Sequence, residues 1–417
     1  MPGIQDLLAE IGLLIVLMTV SPISALDRSE PVDVLYLSRF AARGYSQNRV
    51  MTPDPSIRVN SIPMPGHHLL RYGEDIDVLA RIMRIYFPRN YRTLVEGSDL
   101  VVMFEAPCGL EGLSAAQFDP RWMSWLVKGI REDGLDLIMM GGDGCWGGGP
   151  EGTTVYRSWG ETMLDDVLPF ESLGGTNPPQ AAFHKPEFLD LDHPLAGLPW
   201  SDSSPVEVLN KVEPKLGATM IAQAAGRKDT YPWIACWEQG SGKVVGETQI
   251  FWSKETTNTM FAEWEWYDDF VICLMYFGVD KEIPDDLELV HMLRGYFTDY
   301  MLKVSLLVSH LEFVENFGAN SAPLYDDLDR IRQVQRGAED SFVAGEYQST
   351  LDRFREIDER WEELEERADR VKDNALMWVY AIEWLAVSGV SLVSGTMLWI
   401  LMVGRRLYRE GGTTRLG

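Results

Sequence analysis

The fold of this chain is decided by the stretch Leu135-Asp-Leu-Ile-Met-Met-Gly-Gly-Asp-Gly-Cys-Trp-Gly-Gly-Gly149. A short apolar run of this kind is typical of a parallel strand that is buried on both faces of a sheet. The run ends in a glycine-rich segment, which lets the main chain approach a ligand closely. In open α/β sheets, ligands bind beyond the carboxyl ends of the strands. The stretch therefore predicts a central strand that ends at a functional edge.

One cysteine, Cys145, follows this strand in the order Asp143-Gly144-Cys145-Trp146-Gly147. The order has the outline of a nucleophile elbow, a tight turn from strand to helix that raises one side chain above the sheet. Cys145 is therefore our candidate catalytic residue. Two other interpretations stay open. The glycines satisfy a sharp turn and nothing more, or the cysteine is a buried apolar residue or half of a disulfide.

Strand and helix patterns alternate before this stretch. Continuous apolar runs predict strands, and apolar residues spaced three and four apart predict amphipathic helices. The predicted strands are residues 32–37, 57–64 and 99–104, and the predicted helices are residues 74–87 and 119–132. This alternation predicts an α/β fold with a doubly wound, mostly parallel sheet.

The composition is that of a globular protein with an unusual charge. Of 417 residues, 46% are hydrophobic and 24% are charged, but the formal net charge is -26. Such a field repels nucleic acid, so we predict no nucleic-acid partner. The four cysteines contain no CxxC pair and the six histidines no HExxH spacing, so we predict no metal site. We predict no cofactor either.

Both ends of the chain carry apolar segments that predict a membrane protein. Residues 11–20 form a short apolar core before small and polar residues, which predicts a signal peptide. An uncleaved anchor or a core helix is the alternative, because no Lys or Arg precedes this core. Residues 384–403 carry no charge and are followed by Arg405 and Arg406, which predicts a transmembrane helix with a cytoplasmic C-terminus.

The predicted organisation is that of a single-pass protein of the cell membrane, with the bulk of the chain outside the cytoplasm. It comprises a signal peptide at residues 1–25, an α/β domain at 26–283, a helical coiled-coil stalk at 284–375, a transmembrane helix at 376–404 and a basic cytoplasmic tail at 405–417.

The stalk contains a heptad seam, in which apolar residues from Phe354 to Trp378 recur three and four apart. The seam requires a partner helix, either residues 324–342 folded back or a second copy of the chain. We expect self-association, because residues 324–342 are too short to cover both Trp361 and Trp378.

The transmembrane segment carries a stripe of small residues on which a second helix can pack closely, made of Ser388, Ser391 and Gly395. The stripe and the seam lie on one continuous predicted helix, so we expect them to serve one partner. A monomer whose own helices fill the seam is the alternative.

Three segments carry a family resemblance. They are Met140–Gly149, Trp159-Gly-Glu-Thr-Met-Leu-Asp-Asp-Val-Leu-Pro169 and His193-Pro-Leu-Ala-Gly-Leu-Pro-Trp200. Over residues 32–280 the chain resembles the glutamine amidotransferase-like family. The resemblance implies a flavodoxin-like sheet related to class I glutamine amidotransferases, in which an elbow cysteine works with a His-x-Glu pair. Cys145 matches the elbow, but the pair has no match, since no histidine lies between His193 and His291.

The absent pair favours a binding protein over an enzyme. Without a base, a thiol of ordinary acidity is mostly protonated near neutral pH. We therefore expect a non-enzymatic binding or assembly module of the cell envelope. The alternative is a cysteine-dependent amidotransferase or hydrolase that uses Cys145.

Tryptophans and carboxylates lie in the loops that follow the predicted strands, and together they can hold a sugar ring or a cationic ligand. The alternative is that the tryptophans are core residues. We expect an envelope protein or a saccharide as ligand, and a disulfide between Cys108 and Cys145. The candidate ligand-binding residues are His67, His68, Glu105, Cys108, Asp143, Gly144, Trp146, Trp159, Trp252 and Glu255.

Overall fold

The computed structural model describes residues 30–38, 54–64, 81, 83–106, 108, 120–142, 145–147, 158–177, 184–203, 206, 208–250 and 264–413. The signal peptide predicted at residues 1–25 lies outside these residues. The chain divides into two units. The first unit holds Met1–Gly295 with Phe342–Glu346, and the second holds Tyr296–Ser341 and Tyr347–Gly417.

A large, mostly parallel sheet forms the first unit, which confirms the predicted mixed α/β class. The strands are β1 Val32–Ser38, β2 Ile57–Pro63, β3 Leu100–Phe104, β4 Asp136–Met140, β5 Phe170–Asn177, β6 Lys185–Phe188, β7 Leu209–Pro214, β8 Thr219–Ala225, β9 Thr230–Gln239 and β10 Gly242–Glu247. The eight-stranded sheet has the order β2-β1-β3-β4-β10-β9-β8-β6. The first five strands in this order, β2, β1, β3, β4 and β10, are parallel to one another. Strands β9, β8 and β6 extend the sheet through antiparallel pairings. Strands β5 and β7 form a separate antiparallel pair.

Helices cover both faces of this sheet. They are α1 Tyr91–Val95, α2 Pro120–Lys128 and α3 Tyr267–Gly278. In β4, Ile138 and Met140 pack in one apolar layer with residues of α3, whereas Leu137 and Met139 pack in the other layer with residues of α2. Both faces of the strand are buried, which explains why its sequence shows no polar alternation.

The predicted helix at residues 119–132 is confirmed, with a local change of winding. Helix α2 passes into a π-helical turn at Gly129–Asp133 and ends at Gly134. Gly134 has φ 74°, a left-handed conformation that glycine adopts at little cost. The chain then enters β4 directly, so this turn positions the strand that leads to Cys145.

Three helices make up the rest of the described chain: α4 Leu287–Glu315, α5 Ala322–Val343 and α6 Tyr347–Thr413. In the second unit, the ring of Phe297 lies 4.8 Å from that of Phe354, and the ring of Tyr300 lies 6.0 Å from that of Trp361. Helices α4 and α6 therefore run in the same direction, with α5 antiparallel to both.

The heptad seam of α6 is filled by the chain's own helices over most of its length. Phe354, Ile357, Trp361, Leu364 and Ala368 are each 2–3% exposed. Trp361 is covered by Tyr300 of α4, a helix that the sequence had not suggested as a partner of the seam.

The structure changes two parts of the predicted self-association through α6: which residues of the seam stay exposed, and how the seam is oriented relative to the small-residue stripe. Trp378 is 65% exposed and lies beyond the covered part of the seam. Ala368 and Ser388 are twenty residues apart, which places them about 200° apart around a helix of 3.6 residues per turn. The seam and the small-residue stripe thus face opposite directions, and self-association through the stripe stays a prediction.

Helix α6 is long and apolar enough to cross a membrane. Over Tyr347–Tyr408 it contains a window of mean hydropathy 1.9, none of it buried. Among the described residues it is the one helix with these properties. It is therefore a candidate single membrane span at the C-terminal end of the chain.

Candidate functional site at the carboxyl edge of the sheet

The carboxyl ends of β1, β3, β4 and β10 meet at one edge of the sheet. The strand order reverses between β1 and β3, since the chain moves to one side for β2 and to the other for β3. Such a reversal opens a crevice in open α/β sheets. Ser38, Glu105, Gly141 and Glu247 lie at this edge and are all buried.

Hydrogen bonds from the Asn210 side chain and from the main chain hold the turn that follows β4. Gly142 N–H donates to Asn210 Oδ1 over 2.8 Å, and the Asn210 amide donates to the carbonyls of Gly142 and Gly147. The N–H groups of Cys145 and Trp146 both donate to Gly142 O. Asn210 thus joins the two ends of this turn from β7, a strand of the smaller sheet.

Cys145 lies inside the turn and is fully buried. Its thiol donates to two main-chain carbonyls, Met103 O at 3.6 Å and Ala106 O at 3.8 Å. An S–H group can donate to a carbonyl only in its protonated form, so these two acceptors favour the thiol over the thiolate. The neighbouring Tyr36 is also buried, and burial raises its pKa well above the ordinary value.

The expected disulfide between Cys108 and Cys145 is wrong, because both cysteines are thiols that form no disulfide. The Cys108 thiol donates to Ser158 O at 3.6 Å, whereas that of Cys145 donates to carbonyls at the end of β3. Each sulfur thus has its own main-chain acceptor.

Glu247 is the buried carboxyl group at the centre of this edge. It accepts hydrogen bonds from Trp233 Nε1 at 2.7 Å, from Gln249 N at 2.8 Å and from Gly141 N at 3.2 Å. Burial raises the pKa of Glu247 to about 8 despite these three donors, and the neighbouring Glu105 adds to the rise. Glu247 therefore binds a proton at neutral pH and connects β4, β9 and β10 at this edge.

The two described tryptophans of the predicted edge are core residues. Trp146 and Trp159 are both fully buried. Trp146 Nε1 donates to Glu247 O at 2.9 Å, and Trp159 Nε1 donates to Ala106 O at 2.8 Å. This is the core alternative that the sequence left open. The other predicted positions, His67, His68, Asp143, Gly144, Trp252 and Glu255, lie outside the described residues.

The four described histidines have other neighbours than Cys145. His184 packs on Tyr231, His193 packs on Phe277, and His291 bonds Asp269. His310 lies on α4 in the second unit. Among the residues that the structure describes, no group of three or more His, Cys, Asp or Glu has the arrangement of a metal site.

Sequence reasoning did not single out Tyr36, Asn210 or Glu247 for this edge. Tyr36 and Asn210 carry no local signal, because their roles arise from contacts across the fold. Glu247 had a weak one: it is an acidic residue at the end of β10, shortly after the apolar Val244 and Val245, and the strand is buried throughout.

Gly142→Ala tests how tightly the turn is built. Gly142 has φ 105°, and an added Cβ would overlap the carboxyl group of Glu105, which itself has φ 46°. We expect the change to lower the free energy of unfolding by about 1–3 kcal/mol from backbone strain alone. Urea unfolding followed by tryptophan fluorescence measures this, with Gly174→Ala as the control. Gly174 has φ 68° but nothing within 4 Å of an added Cβ, so equal losses would show that the Glu105 contact is unimportant.

Comparison with known proteins gives similarity at the level of structure only. No family model and no curated protein matches the chain. Similar solved structures include Cytoplasmic Protein STM1381 from Salmonella typhimurium LT2 and Cytoplasmic Protein STM3548 from Salmonella typhimurium. Each is 16% identical with a TM-score of 0.42, over 59% of this chain and 98% of its own. Exo-beta-1,4-mannosidase Op5Man5 from Opitutaceae bacterium strain TAV5 is 11% identical with a TM-score of 0.29, over 60% of this chain and 36% of its own.

Proposed function

We propose that this chain is a membrane-anchored binding or assembly module of the cell envelope, built on an α/β domain related to class I glutamine amidotransferases. The single observation that carries the proposal is the state of Cys145. Its thiol is buried and donates to two main-chain carbonyls, at the position where an amidotransferase of this kind holds its nucleophile.

The strand order supports the proposed relation. The parallel part of the sheet, β2-β1-β3-β4-β10, has the flavodoxin-like order with its reversal between β1 and β3. Cys145 follows the fourth strand of this series. The antiparallel strands β9, β8 and β6 are an addition at one edge.

The chemistry of the edge supports binding over catalysis. A cysteine nucleophile reacts as a thiolate and is activated by an adjacent base or a positive charge. The Cys145 thiol instead donates hydrogen bonds to two main-chain carbonyl oxygens, Met103 O and Ala106 O. These groups oppose a negative charge on sulfur.

The candidate membrane span of α6 supports the proposed location of the domain. Arg405 and Arg406 follow the apolar part of α6, and basic residues favour the cytoplasmic side of a membrane. The α/β domain would then lie outside the cytoplasm, where an envelope protein or a saccharide is available as ligand. Because Trp146 and Trp159 are buried, the described edge is better suited to a protein surface than to a stacked sugar.

A glutamine-analogue electrophile tests the absence of catalysis. We expect the folded full-length chain to leave Cys145 unlabelled by mass spectrometry, because its thiol is buried, and urea-unfolded chain to be labelled at all four cysteines. The matched variants are Cys145→Ala and Cys108→Ala, both at buried edge positions. Stoichiometric labelling of Cys145 in the folded chain, with glutamine hydrolysis lost in Cys145→Ala and kept in Cys108→Ala, would establish the enzyme instead.

A further inference from the structure

Helix α4 carries an exposed apolar surface in the second unit, which we call the α4 outer face. It consists of Leu302, Leu306 and Phe313, which are 58%, 72% and 49% exposed, together with Phe317, 40% exposed, in the turn that follows the helix. The spacings of four and seven residues place the three helical side chains within about 40° of one another around the helix. They extend over about 17 Å along it, at 1.5 Å per residue. Phe313 and Phe317 also contact each other, with ring centroids 5.0 Å apart.

The other two helices of this unit have charged surfaces. Ion pairs along them include Arg332–Asp329 on α5, and Arg355–Asp352 and Arg360–Glu356 on α6. The positions between the apolar residues of the α4 outer face are instead uncharged, namely Ser305, Ser309 and Asn316. An uncharged apolar surface on an otherwise charged helical unit is the mark of an interaction site.

We propose that the α4 outer face is a homodimer surface, covered by the same face of a second copy of this chain. The charge of the chain favours this occupant. At a net charge of -26, most pairs of identical surfaces would bring acidic groups together. The α4 outer face itself carries no charge, and the acidic residues beside it, Asp299 and Glu312, lie at its margins.

The candidate span of α6 sets the geometry of the pair. Two copies anchored in one membrane stand in the same direction, so a two-fold axis along the membrane normal brings each residue of the face close to its own copy. Confinement to a membrane also raises the effective concentration of one copy near another. The four side chains expose on the order of 400 Å² of apolar surface per copy. A pair would bury on the order of 800 Å² in total, the size of a weak interface, so the dimer depends on confinement to the membrane.

A lipid surface does not fit the position of Leu302 and Leu306. Tyr300 is level with Trp361, so Leu306 is level with about residue 367 of α6. The uncharged segment begins at Trp384, which is about 25 Å further along the helix at 1.5 Å per residue. The headgroup region extends only about 5–8 Å beyond the hydrocarbon core. Leu302 and Leu306 therefore stand clear of the bilayer, whereas Phe313 and Phe317 are level with about residues 374 and 378, closer to its surface.

Disulfide trapping in membrane vesicles that contain the full-length chain tests the dimer. Leu306→Cys should give about tenfold more disulfide-linked dimer than Asp329→Cys under mild oxidation. Two cysteines that face each other in a dimer have a far higher effective concentration than cysteines that meet only when two chains collide. Asp329 is the matched control, exposed on the charged surface of α5 in the same unit. The native chain, with its own four cysteines, measures the background.

A second variant distinguishes a dimer held by the α4 outer face from a dimer held by the membrane span of α6. Leu302→Lys with Leu306→Lys should reduce the dimer fraction about tenfold in single-molecule photobleaching, by placing four positive charges at the contact. Its circular dichroism should be unchanged, because both side chains are exposed. Equal trapping at residues 306 and 329, or no trapping at 306, would overturn the proposal. An unchanged dimer fraction in the double variant would do the same and assign the dimer to the span. None of these outcomes depends on Cys145, so the proposed binding function is tested separately.

Discussion

Replacing Arg294 by Met should lower the free energy of unfolding of the α/β unit by about 3–5 kcal/mol, the cost of breaking a buried ion pair by removing one partner. Arg294 is buried and lies between two buried carboxylates. Its Nε donates to Asp54 Oδ2 at 2.7 Å, and its Nη1 donates to Asp269 Oδ1. Met fills a similar volume, so the loss comes from the two carboxylates that keep their burial without a cation.

The wider network shows why this arginine joins distant parts of the chain. Asp54 precedes β2 and also accepts from Ser56 N at 2.8 Å and from Tyr276 OH at 3.2 Å. Asp269 is in the first turn of α3 and accepts from His291 Nδ1 at 2.6 Å. Burial alone would raise the pKa of Asp269, but the hydrogen bond from His291 and the charge of Arg294 bring it below the ordinary value. Arg294 therefore fixes α3 and the start of α4 to the beginning of β2.

Urea unfolding of the detergent-solubilised chain, followed by tryptophan fluorescence, measures the effect. Arg330→Met is the control, since Arg330 pairs with Asp327 one turn away and its side chain is 68% exposed. Exposed pairs of this kind contribute about 0–1 kcal/mol. If Arg294→Met costs no more than Arg330→Met, the carboxylates are neutral in the folded chain and the ion-pair account is incorrect.

The fold was largely predictable because its signals are local. The apolar runs at residues 32–37 and 99–104 became β1 and β3 within one residue at each end. The periodic segments at 324–342 and beyond became α5 and α6 with similar accuracy. Periodicity also identified the seam of α6 and offered residues 324–342, which became α5, as one partner. It did not identify α4, about sixty residues earlier in sequence, which packs on the same seam.

The site was less predictable, because its contacts join residues far apart in the sequence. Cys145 was identified from its glycine-rich segment, yet its burial depends on the carbonyls of Met103 and Ala106. Asp54 and Arg294 are 240 residues apart, and nothing local to either indicates the other. The available signal was a charged residue inside a mostly apolar element, such as Asp269 in α3.

Glu247 should make the folded chain less stable as the pH rises from about 4.5 to about 8. The ordinary pKa of its carboxyl group is 4.5, and burial raises it to about 8 in the folded chain. Below pH 4.5 the group is protonated in both the folded and the unfolded chain. Between the two values the unfolded chain releases the proton and the folded chain keeps it, so the stability falls with rising pH. Above pH 8 both forms are ionised and the loss is complete.

The loss attributable to Glu247 is about 5 kcal/mol at most, at about 1.4 kcal/mol for each unit of pKa shift. Glu247→Gln isolates it, because Gln cannot ionise. Its amide oxygen can still accept from Trp233 and Gln249, while its NH₂ faces the Gly141 N–H at a cost that does not vary with pH. The readout is therefore the slope of stability against pH, measured by urea unfolding at pH 4 to 9, and not the stability at any single pH.

The slope should become shallower in Glu247→Gln and stay unchanged in the control Glu238→Gln. Glu238 lies on the neighbouring strand β9, and its side chain is 71% exposed. Asp136 adds a slope of the same sign in all three proteins, because burial raises its pKa to about 7. Parallel curves for the native chain and Glu247→Gln would mean that the three N–H donors hold Glu247 ionised at neutral pH. The edge beside Cys145 would then carry a full negative charge, which opposes a thiolate there more strongly than a protonated Glu247 does.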